Sequence, residues 1–282
     1  MAVRIAVASR SVPEPASSPP GQRRAREPKL PSDRDWERSV LLEPRPGPRD
    51  PQLISDGAGL PFSPMALAGP PAPLDPDEPA AAALLAYLAA RTAPKRSSRA
   101  PWKRGAAPAP PPSLDAWRLL ARTDDEALFA VGRAPELLTV RMRRGGLRRS
   151  WSVVGSSSSR PLRAVRDGTR ASSWRPDPTH DVRPEDTVLR VLVTEQAFSS
   201  GKRADGRLLV PDLYTDEQEL VLTIFVTPRP GYQSGVRSPE TPARIALPHP
   251  LGTRRLIDGG LLFASPGVPP APAEESEKPD EG

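Results

Sequence analysis

The chain has 282 residues, a formal net charge of +6 and 40 prolines, and it contains no cysteine. The missing cysteine excludes disulfides, thiolate metal sites and cysteine nucleophiles, and with only His180 and His249 a histidine metal cluster is all but excluded as well. Most of the positive charge is arginine in a background rich in alanine, proline and glycine, as GC-rich coding produces, so it speaks to solubility rather than to task.

Proline locates the expected order: 23 of the 40 lie in residues 1–112, 12 in 113–264 and 5 in the last 18. Each proline removes an amide donor and fixes φ, so stretches such as Pro108-Ala109-Pro110-Pro111-Pro112 favour polyproline II or coil. Residues 1–112 are therefore expected to be a disordered arm. The run Met1 to Arg10 carries Arg4 inside its apolar stretch and does not read as a secretory signal. As written the chain is expected in the cytoplasm, with export open if its true start differs. Within the arm, Pro79 to Arg91 suits a short helix, with Asp77 and Glu78 before it and Arg91 at its end. It is too short to span a membrane. Leu84, Leu85, Tyr87 and Leu88 would face a partner if the helix is more than a nascent linker helix.

Residues 113–264 are long enough for one domain. From Trp117 on, short apolar runs alternate with turn residues: Trp117 to Leu120, Ala127 to Val131, Leu137 to Arg143 and Trp151 to Val154. Gly145-Gly146 supplies the positive φ that a two-residue hairpin turn of the primed type needs. Leu162 to Val165 and Ala171 to Trp174 read as brief strands. Thr187 to Glu195 alternates Leu189, Val191 and Val193 against Val188, Arg190, Leu192 and Thr194, which is a strand with one buried face. Arg207 to Val210, Leu220 to Thr227 and Ala243 to Leu247 complete the set. The expected fold is mainly β: an antiparallel sandwich or open barrel of about eight short strands. Residues 265–282 hold one basic against five acidic residues and read as a disordered acidic tail.

The most distinctive chemical feature is the cluster Arg141, Arg143, Arg144, Arg148 and Arg149, five arginines within nine residues with no acid nearby. Guanidinium groups so placed suit a phosphate or sulfate, and equally suit a solvated edge hairpin whose like charges discourage aggregation. No aromatic residue interleaves with the arginines as single-stranded nucleic-acid binders require. Gly155 to Arg160 resembles a phosphate loop in composition but lacks the Gly-Lys-Ser/Thr ending. Asp212, Asp216, Glu217 and Glu219 lack the spacing and central glycine of a calcium loop. Ser156 to Ser159 with His180 and Asp177 or Asp181 would make a nucleophilic site only if the fold assembled them, and no Gly-x-Ser-x-Gly elbow is present.

The segments Leu192-Val193-Thr194-Glu195, Ser199-Ser200-Gly201-Lys202, Gly206-Arg207, Pro228-Arg229-Pro230-Gly231, Thr241-Pro242 and Pro250 to Gly260 carry a resemblance to uncharacterised, often exported or lipid-anchored proteins of high-GC Gram-positive bacteria. The resemblance spans about Trp117 to Gly260 and implies a β-rich fold and no particular activity. It also implies cysteines where Ser199 stands and near Ser234, positions suited to an extracytoplasmic disulfide worth about 2–4 kcal/mol. Without that cross-link, the loop 231–242 is expected to be more mobile. Either this version works in the cytosol, or serine replaced both members of a pair in a chain whose start lies elsewhere. No catalytic, cofactor or metal residue is expected. The functional expectation is a non-catalytic β-sheet binding or structural module on a disordered tether, with a protein partner or, through the Arg141–Arg149 hairpin, an anionic polymer or nucleic acid.

Overall fold

The computed structural model describes residues 30–57, 59–92, 113–133, 136–146, 149–158, 161–236 and 238–262. The chain divides into Met1–Leu30 and Pro31–Gly282. Only Leu30 of the first unit is described, and every element belongs to the second. In chain order these are α1 (Asp33–Glu37), β1 (Val40–Leu42), β2 (Arg45–Pro46), β3 (Ile54–Ser55), a 3-10 turn (Pro64–Leu67), α2 (Pro79–Thr92) and β4 (Trp117–Arg122). They continue with β5 (Glu126–Arg133), β6 (Glu136–Gly145), β7 (Ser150–Ser158), β8 (Arg163–Arg166), β9 (Thr169–Arg170), β10 (Ser173–Pro176) and β11 (Val188–Thr194). The last four are β12 (Asp212–Thr215), β13 (Glu219–Thr223), β14 (Thr241–Ala246) and β15 (Arg255–Asp258).

Among the described residues the molecule is mainly β, as its apolar runs predict, with fifteen strands in four sheets none of which closes; β4 to β15, twelve strands, lie in 113–264, where about eight are expected. Three pairings are parallel, β1 with β14, β2 with β12 and β13 with β15, so the purely antiparallel expectation is corrected. The sheets β1-β14-β11-β10 and β15-β13-β12-β2 share one core. Leu189, Val191 and Val193 of the alternating strand point into it, against Leu213, Leu220, Leu222 and Leu256 of the facing sheet.

The strands β4-β5-β6-β7 form an antiparallel meander. One face takes Ile54, Phe62 and Leu162, which cover Leu120, Leu128 and Leu137. The other face takes α2. Ala80, Ala81 and Leu84 lie on Trp117, Phe129, Val140 and Met142, with Leu85, Tyr87 and Leu88 packed at the margin. The helix is too short to persist alone, and the small side chains of Ala80 and Ala81 are fully buried against the sheet. Glu78 fixes its start, its carboxylate accepting from the Ala81 amide at 2.9 Å.

This overturns the expected boundary at Ser113. Residues 31–92, placed by proline density in a disordered arm, supply α1, three strands, the 3-10 turn and α2 to the fold, with Trp36, Ile54 and Phe62 buried. Proline permits this because the strands are at edges. In β2 the amides of Arg45 and Gly47 donate to Pro211 and Leu213 carbonyls, and Pro46 sits where no donor is needed. The expected tail, 265–282, and the arm residues 1–29 lie outside the described residues. No described helix is long and apolar enough to cross a membrane.

Candidate functional site

The arginine hairpin is β6 and β7, and the acids absent from its own window arrive from the preceding turn. Antiparallel register sets Glu126 opposite Arg143, whose Nε donates to Glu126 Oε1 at 2.7 Å. Arg141 Nε stands 3.8 Å from the same carboxylate, and Arg149 Nη2 bonds Asp125 at 3.3 Å. Arg148 lies outside the described residues. The turn has four residues between Gly145 and Ser150 rather than the expected two, with Gly146 and Arg149 at positive φ. Arg122, Arg144, Arg149, Asp124, Pro79 and Trp151 line a recess of about 400 Å³. Arg122 is held by Glu78 at 2.8 Å. Arg144 donates through Nε to the Arg149 carbonyl at 3.1 Å and has no acid partner among the described residues. An aromatic ring, Trp151, thus stands beside the arginines, contrary to the sequence expectation, while most of their charge is answered by Asp125, Glu126 and Glu78.

Ser159 lies outside the described residues, and among those described no nucleophile candidate is hydrogen-bonded to His180. Ser157 donates to buried Asp56 at 2.9 Å, and Thr139 donates to the same oxygen at 2.5 Å. Asp177 accepts from the Thr179 amide and hydroxyl, and its backbone carbonyl accepts from the His180 amide. The acidic turn is likewise structural. Asp212 accepts from Arg45 at 2.7 Å and Arg166 at 2.6 Å, Glu219 binds Arg49 and Arg255, and the Asp216 carboxylate, held low by the Gln218 and Glu219 amides, fixes the turn itself. Among the described residues no group of three metal-ligating side chains gathers. Arg163, nearly buried, donates to the Ser172 carbonyl at 2.9 Å and faces Asp258 at 3.4 Å. Burial pushes the Asp258 carboxyl up and the Arg163 guanidinium down.

A feature that the sequence reading did not single out lies at the loops 197–202 and 231–236. They hold Phe198, Tyr232 and Val236 out in water while bonding to each other. Ser200 Oγ donates to Gln233 Oε1 at 3.0 Å and accepts from the Ser234 amide at 3.0 Å, and the Gly201 amide donates to the Val236 carbonyl. The two places where the resemblance implies cysteine, Ser199 and the vicinity of Ser234, therefore stand on touching loops. Beside them a cleft of about 420 Å³ runs past Gly57, Val165, Arg170, Glu195, Ala197 and Pro228. Glu195 is no free base there, since Arg207 meets both its carboxylate oxygens.

Ser199 is fully buried and its hydroxyl has no partner among the described residues. An unpaired buried hydroxyl costs about 1–3 kcal/mol, so Ser199→Ala is expected to raise stability by about 1 kcal/mol in urea denaturation. A midpoint shifted downward instead would mean that the hydroxyl is bonded after all.

Comparison with known proteins finds no match: no family model fits this chain, and no curated protein or solved structure is similar to it.

Proposed function

We propose that this protein is a non-catalytic β-sheet binding module whose contact surface is the loop pair 197–202 and 231–236. One observation carries the reading: large apolar side chains are held out in water by loops that are bonded to each other, which leaves most of their apolar surface uncovered in the isolated chain. The charged groups that would invite a catalytic reading, Glu195, Asp212, Glu219 and Asp258, each answer one or two arginines of the fold.

A second reading, anion binding at the hairpin, draws on Arg144 beside Trp151 in the recess. Titrating salt against binding to DNA, RNA and heparin separates the two. The module reading expects affinity at low salt to be unchanged when Arg143, Arg144, Arg148 and Arg149 become alanine. A loss of roughly tenfold or more, with a shallower salt slope, would move the site to the hairpin.

A further inference from the structure

The loop pair carries one step more, which rests on the binding-module reading: we propose that it docks the protein on an anionic lipid surface. Phe198 is 67% exposed, Val236 59% and Tyr232 94%. The Phe198 ring edge stands over Gly235, where a Cβ would come within 3.8 Å of it, and Val236 covers Gly201, where a Cβ would meet Val236 Cγ1 at 3.0 Å. These two side chains thus lie against glycine backbone with most of their surface exposed. Side chains that protrude this far are covered by a medium that deforms around them, as the interfacial layer of a bilayer does, more readily than by a flat protein face.

Charge selects the kind of lipid. Neither Gln196 to Ala204 nor Thr227 to Pro239 contains an acid. Lys202 is exposed, and Arg229 donates to the Arg203 carbonyl and keeps its charge. Arg203 is paired with Asp35 at 2.8 Å. The glutamates flanking the loops are neutralised, Glu195 by Arg207 and Glu240 by Arg175 at 2.7 Å, while exposed Asp205, next in sequence after Ala204, has no ion pair among the described residues. A second copy of the chain would set Lys202 and Arg229 against the same cations, whereas anionic headgroups complement them.

Co-sedimentation of the full chain with phosphatidylcholine vesicles, with and without phosphatidylglycerol, tests this. Binding is expected at low salt to the vesicles containing phosphatidylglycerol, weakened by added salt. The partition coefficient is expected to fall roughly tenfold or more in Phe198→Ser with Tyr232→Ser, and again in Lys202→Glu, with the melting temperature of each variant unchanged. No binding at low salt, equal binding to pure phosphatidylcholine, pelleting without vesicles, or variants that bind like the parent would each overturn the proposal. Failure on vesicles leaves the module reading standing on the salt titration, so the two fail separately.

Discussion

Replacing Glu195 by alanine is expected to cost about 3–5 kcal/mol of stability, the usual loss when one partner of a buried ion pair is removed. The Glu195 side chain is 2% exposed and that of Arg207 15%. The guanidinium faces both carboxylate oxygens and also donates through Nη1 to the Thr227 carbonyl, while its Nε has no partner among the described residues. Without the carboxylate, Arg207 keeps one carbonyl and a buried charge, and that uncompensated charge is the source of the loss. Arg207→Ala strands the carboxylate in the same way. The double variant Glu195→Met with Arg207→Met is expected to be less harmful than either single change, because neither charge is then left alone. Equilibrium denaturation in urea reads all three. At roughly 2–4 °C per kcal/mol for a domain of this size, the single variants should melt about 6–20 °C lower. A single variant within about 1 kcal/mol of the parent would show that water reaches the pair and that the burial argument fails.

The strands legible in advance were those whose burial alternates along a single segment. Leu189, Val191 and Val193, and the meander residues Phe129, Val140 and Met142, declare their faces locally, because period-2 patterning is a property of the segment itself. The arm was not legible for the opposite reason. β1 and β2 have three and two residues and take their order from β14 and β12, some 200 and 167 positions away, so no local pattern records them. Proline density misled there because edge strands tolerate proline. The arginine cluster was legible as a cluster, but its neutralisation was not, since Glu126 meets Arg143 through sheet register. Of the loop pair, Phe198, Tyr232 and Val236 sit in segments without periodicity, and exposure became visible only once the surrounding strands were placed. The signal present in the sequence was the absence of acid from both loops.

Trp36→Ala is expected to cost about 3–5 kcal/mol, the range for deleting a buried aromatic side chain. Trp36 is 4% exposed on a helix of five residues that could not persist alone. It anchors a strap, residues 33–49, that reaches both sheets of the sandwich. Arg190 lies over the indole ring at 5.3 Å, and Arg244 Nη2 donates to the Ser39 carbonyl at 3.0 Å. β1 then extends one sheet beside β14, and within a few residues β2 extends the other beside β12, where Arg45 and Arg49 bond Asp212 and Glu219. Val40 and Leu41 of β1 remain exposed and Leu42 packs only partly buried against the sandwich core, so Trp36 is the one fully buried apolar side chain of the strap. Losing it should therefore destabilise both sheet edges together, since the strap joins them. The distinguishing readout is limited digestion with an arginine-directed protease alongside the melting curve. Cooperative coupling predicts a lower melting temperature, with cleavage at Arg38, Arg45 or Arg49 no faster than elsewhere. Rapid cleavage at those arginines with an unchanged melting temperature would show instead that the strap opens as a local unit and that the sandwich stands without it.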